Sequence, residues 1–154
     1  MSGAAPTTAP TAATAMASAA ATAMASAVAR HEIANLLHTY TEAADRKDVA
    51  TAVRLLGRAR VRFPADGFDS PAGARAFFTR LWDFPGGHRH DVSNLIVLPA
   101  HEEGTWQARA HYTRWLLEPS PRVHTLGEYA LLVSDRDWTV RALTVTRTWT
   151  EGGG

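Results

Sequence analysis

Two histidines and an amide share one short stretch, His88-Arg89-His90-Asp91-Val92-Ser93-Asn94, which opens a run of strand-like sequence. Side chains in a strand alternate faces, so His88, His90 and Asn94 fall on one side with Val92, Ile96 and Leu98, and Arg89, Asp91 and Ser93 on the other. Polar groups on an apolar face need partners if buried, which describes a pocket wall, or else a strand start at an exposed rim. Imidazole titrates near neutrality, so a pocket histidine suits removal of a proton α to a carbonyl, or protonation of a leaving hydroxyl. A carboxylate on its second ring nitrogen would set the tautomer and stabilise the imidazolium. On the residues alone, His88 and His90 stand equally as the candidate acid or base. Asn94 is a candidate donor to an enolate oxygen. A metal site is the alternative: His88 and His90 at i, i+2, with His111 or Asp45 as third ligand, meet the count for catalytic zinc or iron.

These residues must be positioned by the elements around them. Ile33, Leu36, Leu37, Tyr40 and Ala44 recur at the spacing of one helical face, with Arg30, Glu32, Glu42 and Arg46 off it, so an amphipathic helix ends near Asp45. Asp48 caps a second helix that stops at Gly57, and a short strand follows over 59–63. Ser70-Pro71 supplies an N-cap and an N1 proline for a third helix, which buries Phe77, Phe78, Leu81 and Trp82 and is broken by Pro85-Gly86-Gly87. From there the period changes. Strands are expected over 88–98, 105–117, 123–133 and 138–149, joined by short turns and therefore antiparallel neighbours. Helices first and a meander after is the α+β pattern, with helices packed on one face of a curved sheet.

Composition bounds the function. The chain of 154 residues has a formal net charge of +1, which leaves no basic footprint for nucleic acid and no charge block for a membrane surface. It has no cysteine, so thiolate chemistry and disulfides are excluded. Residues 1–27 are almost entirely Ala, Thr, Ser, Pro and Met without one charge, and Thr14-Ala15-Met16-Ala17-Ser18-Ala19 recurs as Thr22-Ala23-Met24-Ala25-Ser26-Ala27. This reads as a disordered low-complexity tail, although its alanines would let the first helix extend back to about Ala12. No apolar run is expected to reach the roughly 18 residues of a membrane span. No basic n-region of an export signal precedes Arg30, so a cytoplasmic location is expected. The folded domain is expected over 28–150, followed by a glycine tail at 151–154. Both faces of the later strands are apolar, for example Trp106 and Leu116 against Trp115 and Leu117. The outer face is therefore expected to be covered by another subunit in a homo-dimer or trimer.

The order of these pieces resembles the nuclear transport factor 2-like superfamily, and within it the SnoaL-like branch that includes polyketide cyclases and scytalone dehydratase. The matching residues are Tyr40…Ala44-Asp45-Arg46-Lys47-Asp48, His90-x-x-x-Asn94, Gln107-x-Arg109-x-His111, Gly127-x-Tyr129 and Trp138-x-Val140…Arg147-x-Trp149, spread over 28–149. The resemblance implies an α+β cone of three N-terminal helices on a strongly curved, mainly antiparallel sheet, with a ligand pocket at its open mouth. It also implies a cofactor-free dehydratase, isomerase or cyclase acting on a mostly apolar, polyketide-derived molecule. It places Asp45 and His90 on the catalytic aspartate and one catalytic histidine of scytalone dehydratase, which makes His90 the expected acid or base and Asp45 its orienting carboxylate, leaves His88 at the rim, and adds a second histidine beside Asn94 as a donor to the enolate oxygen. The second histidine matches His111 by type, whereas a gapless reading of the strand puts Tyr112 there. Two tyrosines of the dehydratase fall near Ala44 and Phe63, leaving Tyr40 or Tyr129 to supply a phenol. Phe63, Phe77, Phe78, Trp82, Asn94 and Tyr112 complete the expected lining. The superfamily also contains non-catalytic binding proteins, which is the third reading.

Overall fold

A computed structural model describes residues 11–153. Its elements are α1 (Ala12–Asp45), α2 (Val49–Leu56), β1 (Arg60–Arg62), β2 (Gly67–Phe68), α3 (Pro71–Leu81), β3 (His88–Pro99), β4 (Thr105–Leu116), β5 (Arg122–Ser134) and β6 (Thr139–Thr150). The architecture is α+β, with the helices on one face of a six-stranded sheet ordered β2-β1-β6-β5-β4-β3. The meander β3 to β6 is antiparallel throughout, while β1 joins β6 in parallel, Val61 opposite Leu143.

Local chemistry accounts for the boundaries. Asp48 accepts the Thr51 amide at 3.0 Å and starts α2, and Ser70 accepts the Gly73 amide at 3.2 Å with Pro71 at the first helical position of α3. Ile33, Leu37, Tyr40 and Ala44 turn inward along α1, as their spacing requires. Between the helices and the sheet, α3 contributes an aromatic cluster. Phe78 is fully buried, stacked on Trp82 at 4.9 Å and edge-on to Phe77 and Phe68 at 5.3 and 5.4 Å, with Tyr40 at 6.3 Å.

Two expectations are corrected at the N-terminus. The segment expected to be disordered is helical from Ala12, capped by Thr11, and runs unbroken into the amphipathic part of α1; positions 1–10 lie outside the described residues. Alanine has the highest helix propensity, and a helix already nucleated by packing at Ile33 and Leu37 extends at little cost. The same alanines bring an 18-residue window of α1 to a mean hydropathy of 1.4, so the helix is long and apolar enough to cross a membrane by length and composition. That window owes its score to many small side chains rather than to large apolar ones.

A third correction concerns β3. Its pairing with β4 shifts between Ser93 and Ile96, a bulge centred on Asn94, whose φ of +54° is a left-handed conformation that asparagine tolerates. One extra residue inverts the alternation. Val92 faces inward, but beyond the bulge Leu95 and Val97 do so, leaving Ile96 and Leu98 on the outer face, 41% and 53% exposed. Arg30 of α1 reaches the bulge and donates to the Leu95 carbonyl, tying the helix to the bend.

Candidate functional site

A cavity of about 80 Å³ lies between the sheet, the end of α1 and the C-terminal end of α3, room for several waters or for the reacting end of a small molecule. Tyr40 and Ala44 line it from α1, Trp82 from the end of α3, His90 from β3, Tyr112 from β4 and Tyr129 from β5. Phe63, Leu81 and Phe84 add an apolar rim, and Arg114 and Arg147 bring two cations.

His90 sits where its strand meets the end of α1. Its Nδ1 hydrogen donates to Asp45 Oδ1 at 2.7 Å, with both side chains largely shielded from solvent. The tautomer this sets leaves Nε2 with a lone pair, and no protein group among the described residues bonds to it. Asp45 stands behind the ring, on the side away from the cavity lining, which suits an orienting carboxylate rather than one that touches substrate.

His88 is not at the rim. It is only 5% exposed; its Nε2 hydrogen donates to the Ala44 carbonyl at 2.7 Å, and its Nδ1 accepts from Arg114 Nε at 3.2 Å. Burial, chiefly, pushes its imidazole down to about 4, against the pull of the Ala44 carbonyl and with the charges of His90 and Arg114 adding to the push. The ring is therefore neutral when folded, whereas a histidine of the unfolded chain titrates near 6.5. Between these values the unfolded chain binds the extra proton. The associated stability is complete above about pH 6.5 and is lost as pH falls toward 4, by up to about 3 kcal/mol. Denaturation midpoints measured from pH 7 to 4 should fall steeply in the native protein and distinctly less in His88→Gln; parallel curves would remove His88 as the cause.

Two other expected site residues lie outside. His111 and Asn94 are on the outer sheet face, exposed, with Asn94 Nδ2 donating to His111 Nδ1 at 3.1 Å and His111 Nε2 3.2 Å from Glu128 Oε1. Strand alternation decides the contest on β4: Trp106, Ala108, Ala110 and Tyr112 are buried, so His111 must face outward. For Asn94 the reason is the bulge. Phe77 is buried in the aromatic cluster against Phe63, Phe68 and Phe78, not on the cavity wall. Tyr40, Phe63, Trp82, Tyr112 and Tyr129 do line it.

The three tyrosines form a continuous wall, Tyr112 stacked on Tyr129 at 4.6 Å and Tyr129 edge-on to Tyr40 at 5.9 Å. Burial raises the pKa of all three phenols, so each stays protonated and able to donate. Tyr112 is committed to the Thr146 carbonyl at 3.3 Å, whereas no protein acceptor among the described residues takes the Tyr40 or Tyr129 hydroxyl. Gly127 makes this wall possible. A Cβ there would lie 2.1 Å from the Thr146 carbonyl oxygen and 2.6 Å from the Tyr112 ring. Gly127→Ala is expected to cost about 1–3 kcal/mol or more by overpacking, read as a lower urea midpoint with a changed near-ultraviolet tyrosine signal. An unaltered midpoint would mean that β5 and β6 are farther apart there.

Asp45, His88 and His90 place a ligand atom each within 4.8 Å of one another, the arrangement a metal would need. The hydrogen bonds already made do not suit it. Both ring nitrogens of His88 are engaged, one of them by a guanidinium that would repel a cation, and His90 Nδ1 is spent on Asp45.

The residues that sequence reasoning passed over are Arg114, Arg147 and Phe84. The signal for the arginines was present: Arg114 follows Tyr112 by two on β4, and Arg147 follows Leu143 and Val145 in the inward alternation of β6.

A model of the SnoaL-like domain matches residues 25–150. The chain belongs to the SnoaL-like family. Solved structures agree on the fold. A protein assigned as an aromatic-ring hydroxylase from Novosphingobium aromaticivorans is 22% identical, with a TM-score of 0.66 over 78% of this chain and 89% of that one. One assigned as a scytalone dehydratase from the same organism is 16% identical, with a TM-score of 0.64 over 78% and 84%. A type 2 hexachlorocyclohexane dehydrochlorinase, LinA, is 16% identical, with a TM-score of 0.66 over 79% and 86%. No curated protein matches the chain in sequence. This member of the SnoaL-like family has a shielded His-Asp pair against a tyrosine-walled cavity.

Proposed function

We propose that this SnoaL-like protein is a cofactor-independent acid-base lyase or isomerase acting on a small, mostly apolar carbonyl compound of polyketide type. The observation that carries the proposal is the 2.7 Å bond from His90 Nδ1 to Asp45, which leaves Nε2 as the free basic nitrogen on the cavity wall. In the proposed step Nε2 takes the proton α to the carbonyl, and the C–H electron pair moves into an enolate whose oxygen accepts from Tyr40 or Tyr129. Collapse of the enolate forms the C=C bond and expels the β-substituent, and the imidazolium returns its proton to a departing hydroxide as water. Asp45 offsets the charge on the ring throughout. Names given to structural neighbours, a dehydratase and a dehydrochlorinase, belong to the same class of elimination and support the reading.

The test is to incubate the protein in deuterium oxide with enolisable aryl ketones and β-hydroxy ketones, following deuterium at the α-carbon and loss of water by NMR. Exchange or elimination on at least one compound is expected. Compounds that bind but never exchange would leave a binding protein instead. Stoichiometric zinc or iron in the purified protein would favour the metal reading despite the occupied ring nitrogens. The outer sheet face, where exposed Ile96 and Leu98 adjoin a shallow groove across β4 to β6, is proposed to be covered by a second copy. Light scattering at low protein concentration should give a multiple of the chain mass; a monomer mass would refute it.

A further inference from the structure

The cavity's polar end is cationic, with Arg114 and Arg147 on its wall. Neither is paired with a carboxylate among the described residues. Asp45 is engaged with His90, Glu151 with Arg122 at 2.9 Å, and Glu118 with the Gly87 amide at 2.7 Å. Arg114 is half-buried and held in place. Its Nε donates to His88, and its guanidinium lies over the Phe84 ring at 5.2 Å, which fixes the head group while leaving both terminal nitrogens unbonded. Burial and the neighbouring Arg147 both disfavour its charge, with only the phenols of Tyr112 and Tyr129 working the other way. A half-buried Arg114 with a second guanidinium beside it and no counter-charge is disfavoured unless an anion joins them.

We infer that the substrate is an organic acid whose carboxylate is held between Arg114 and Arg147, with its carbonyl directed to the tyrosine wall beside His90. Guanidinium forks match the planar, two-oxygen geometry of a carboxylate, and a half-buried setting strengthens charge-assisted bonds. Phe63 and Leu81 of the rim, with Trp82, then take the carbon skeleton. His88 acquires a purpose here as a positioning residue: kept neutral by burial, it accepts from Arg114 and aims that side chain without cancelling its charge. The inference rests on the acid-base reading only for the position of the carbonyl, since recognition of the acid can be measured without turnover.

The test compares 3-benzoylpropionate with its neutral amide and with inorganic phosphate by calorimetry. The acid is expected to bind at least about tenfold more tightly than the amide. Arg147→Gln, an exposed position whose replacement should fold, is expected to remove most of that preference by weakening the acid far more than the amide, and Arg114→Gln to do the same where circular dichroism shows it folded. Equal binding of acid and amide, no binding of either, or a preference that survives Arg147→Gln would overturn the inference. Phosphate as tight as the organic acid would overturn it too, by showing a general anion site. His90→Ala separates the two proposals. Acid preference retained with deuterium exchange lost supports both, whereas acid preference retained with exchange undiminished removes the acid-base reading and leaves the carboxylate site standing.

Discussion

His90→Ala is expected to lower α-proton exchange or elimination by about a thousandfold or more, the scale of losing a positioned general base. The melting temperature should move little, because the bond to Asp45 lies at the edge of the cavity rather than in the aromatic core. Asp45→Asn is the sharper variant. It preserves shape, yet an amide can donate to Nδ1 and so favour the tautomer with the proton on Nε2, where a base is needed. A loss of about a hundredfold or more is expected, with substrate affinity retained, since Asp45 stands behind the ring. His111→Ala and Asn94→Ala are the matched controls. Both residues face outward and bond to each other, so neither should change turnover appreciably. If His111→Ala disabled the protein while His90→Ala did not, the site would have to lie on the other face of the sheet.

The contrast between these variants reflects what was legible in the sequence. The apolar spacing from Ile33 to Ala44, the Asp48 and Ser70 caps and the four long strands follow from local chemistry, and the structure has them within a residue or two. Asp45 and His90 were legible as a pair through the resemblance to scytalone dehydratase, which singles out one aspartate and one histidine where the residues alone leave His88 and His90 equal. Asn94 was not, because a bulge is a property of how two strands pair, and nothing in HRHDVSNLIVL marks where the extra residue goes. His88 was misplaced for a related reason. Its burial depends on the end of α1 and on Arg114, partners 44 and 26 residues away. Arg114 and Arg147 show the opposite failing: strand alternation could have placed them inward, yet a charge on an inward face signals a site only once a cavity is known to be there.

Phe78→Ala is expected to cost about 3–5 kcal/mol of folding stability, the range for deleting a fully buried phenylalanine. Collapse around the gap is limited because the surrounding rings are themselves fixed. Trp82 is stacked on Phe78, Phe77 is wedged between Phe63 and Phe68, and Tyr40 is held against Tyr129. The hole should therefore persist, and its cost adds to the lost transfer free energy. Phe78→Leu, which refills part of the volume, is expected to cost appreciably less. Because Trp82 and Tyr40 wall the cavity on their other sides, the alanine variant should also bind the organic acid more weakly even under conditions where it remains folded. Urea titration reads the first effect and calorimetry the second. A stability loss below about 1 kcal/mol would mean that α3 does not seal the core. A full loss with unchanged binding would mean that the aromatic cluster holds the fold without shaping the site.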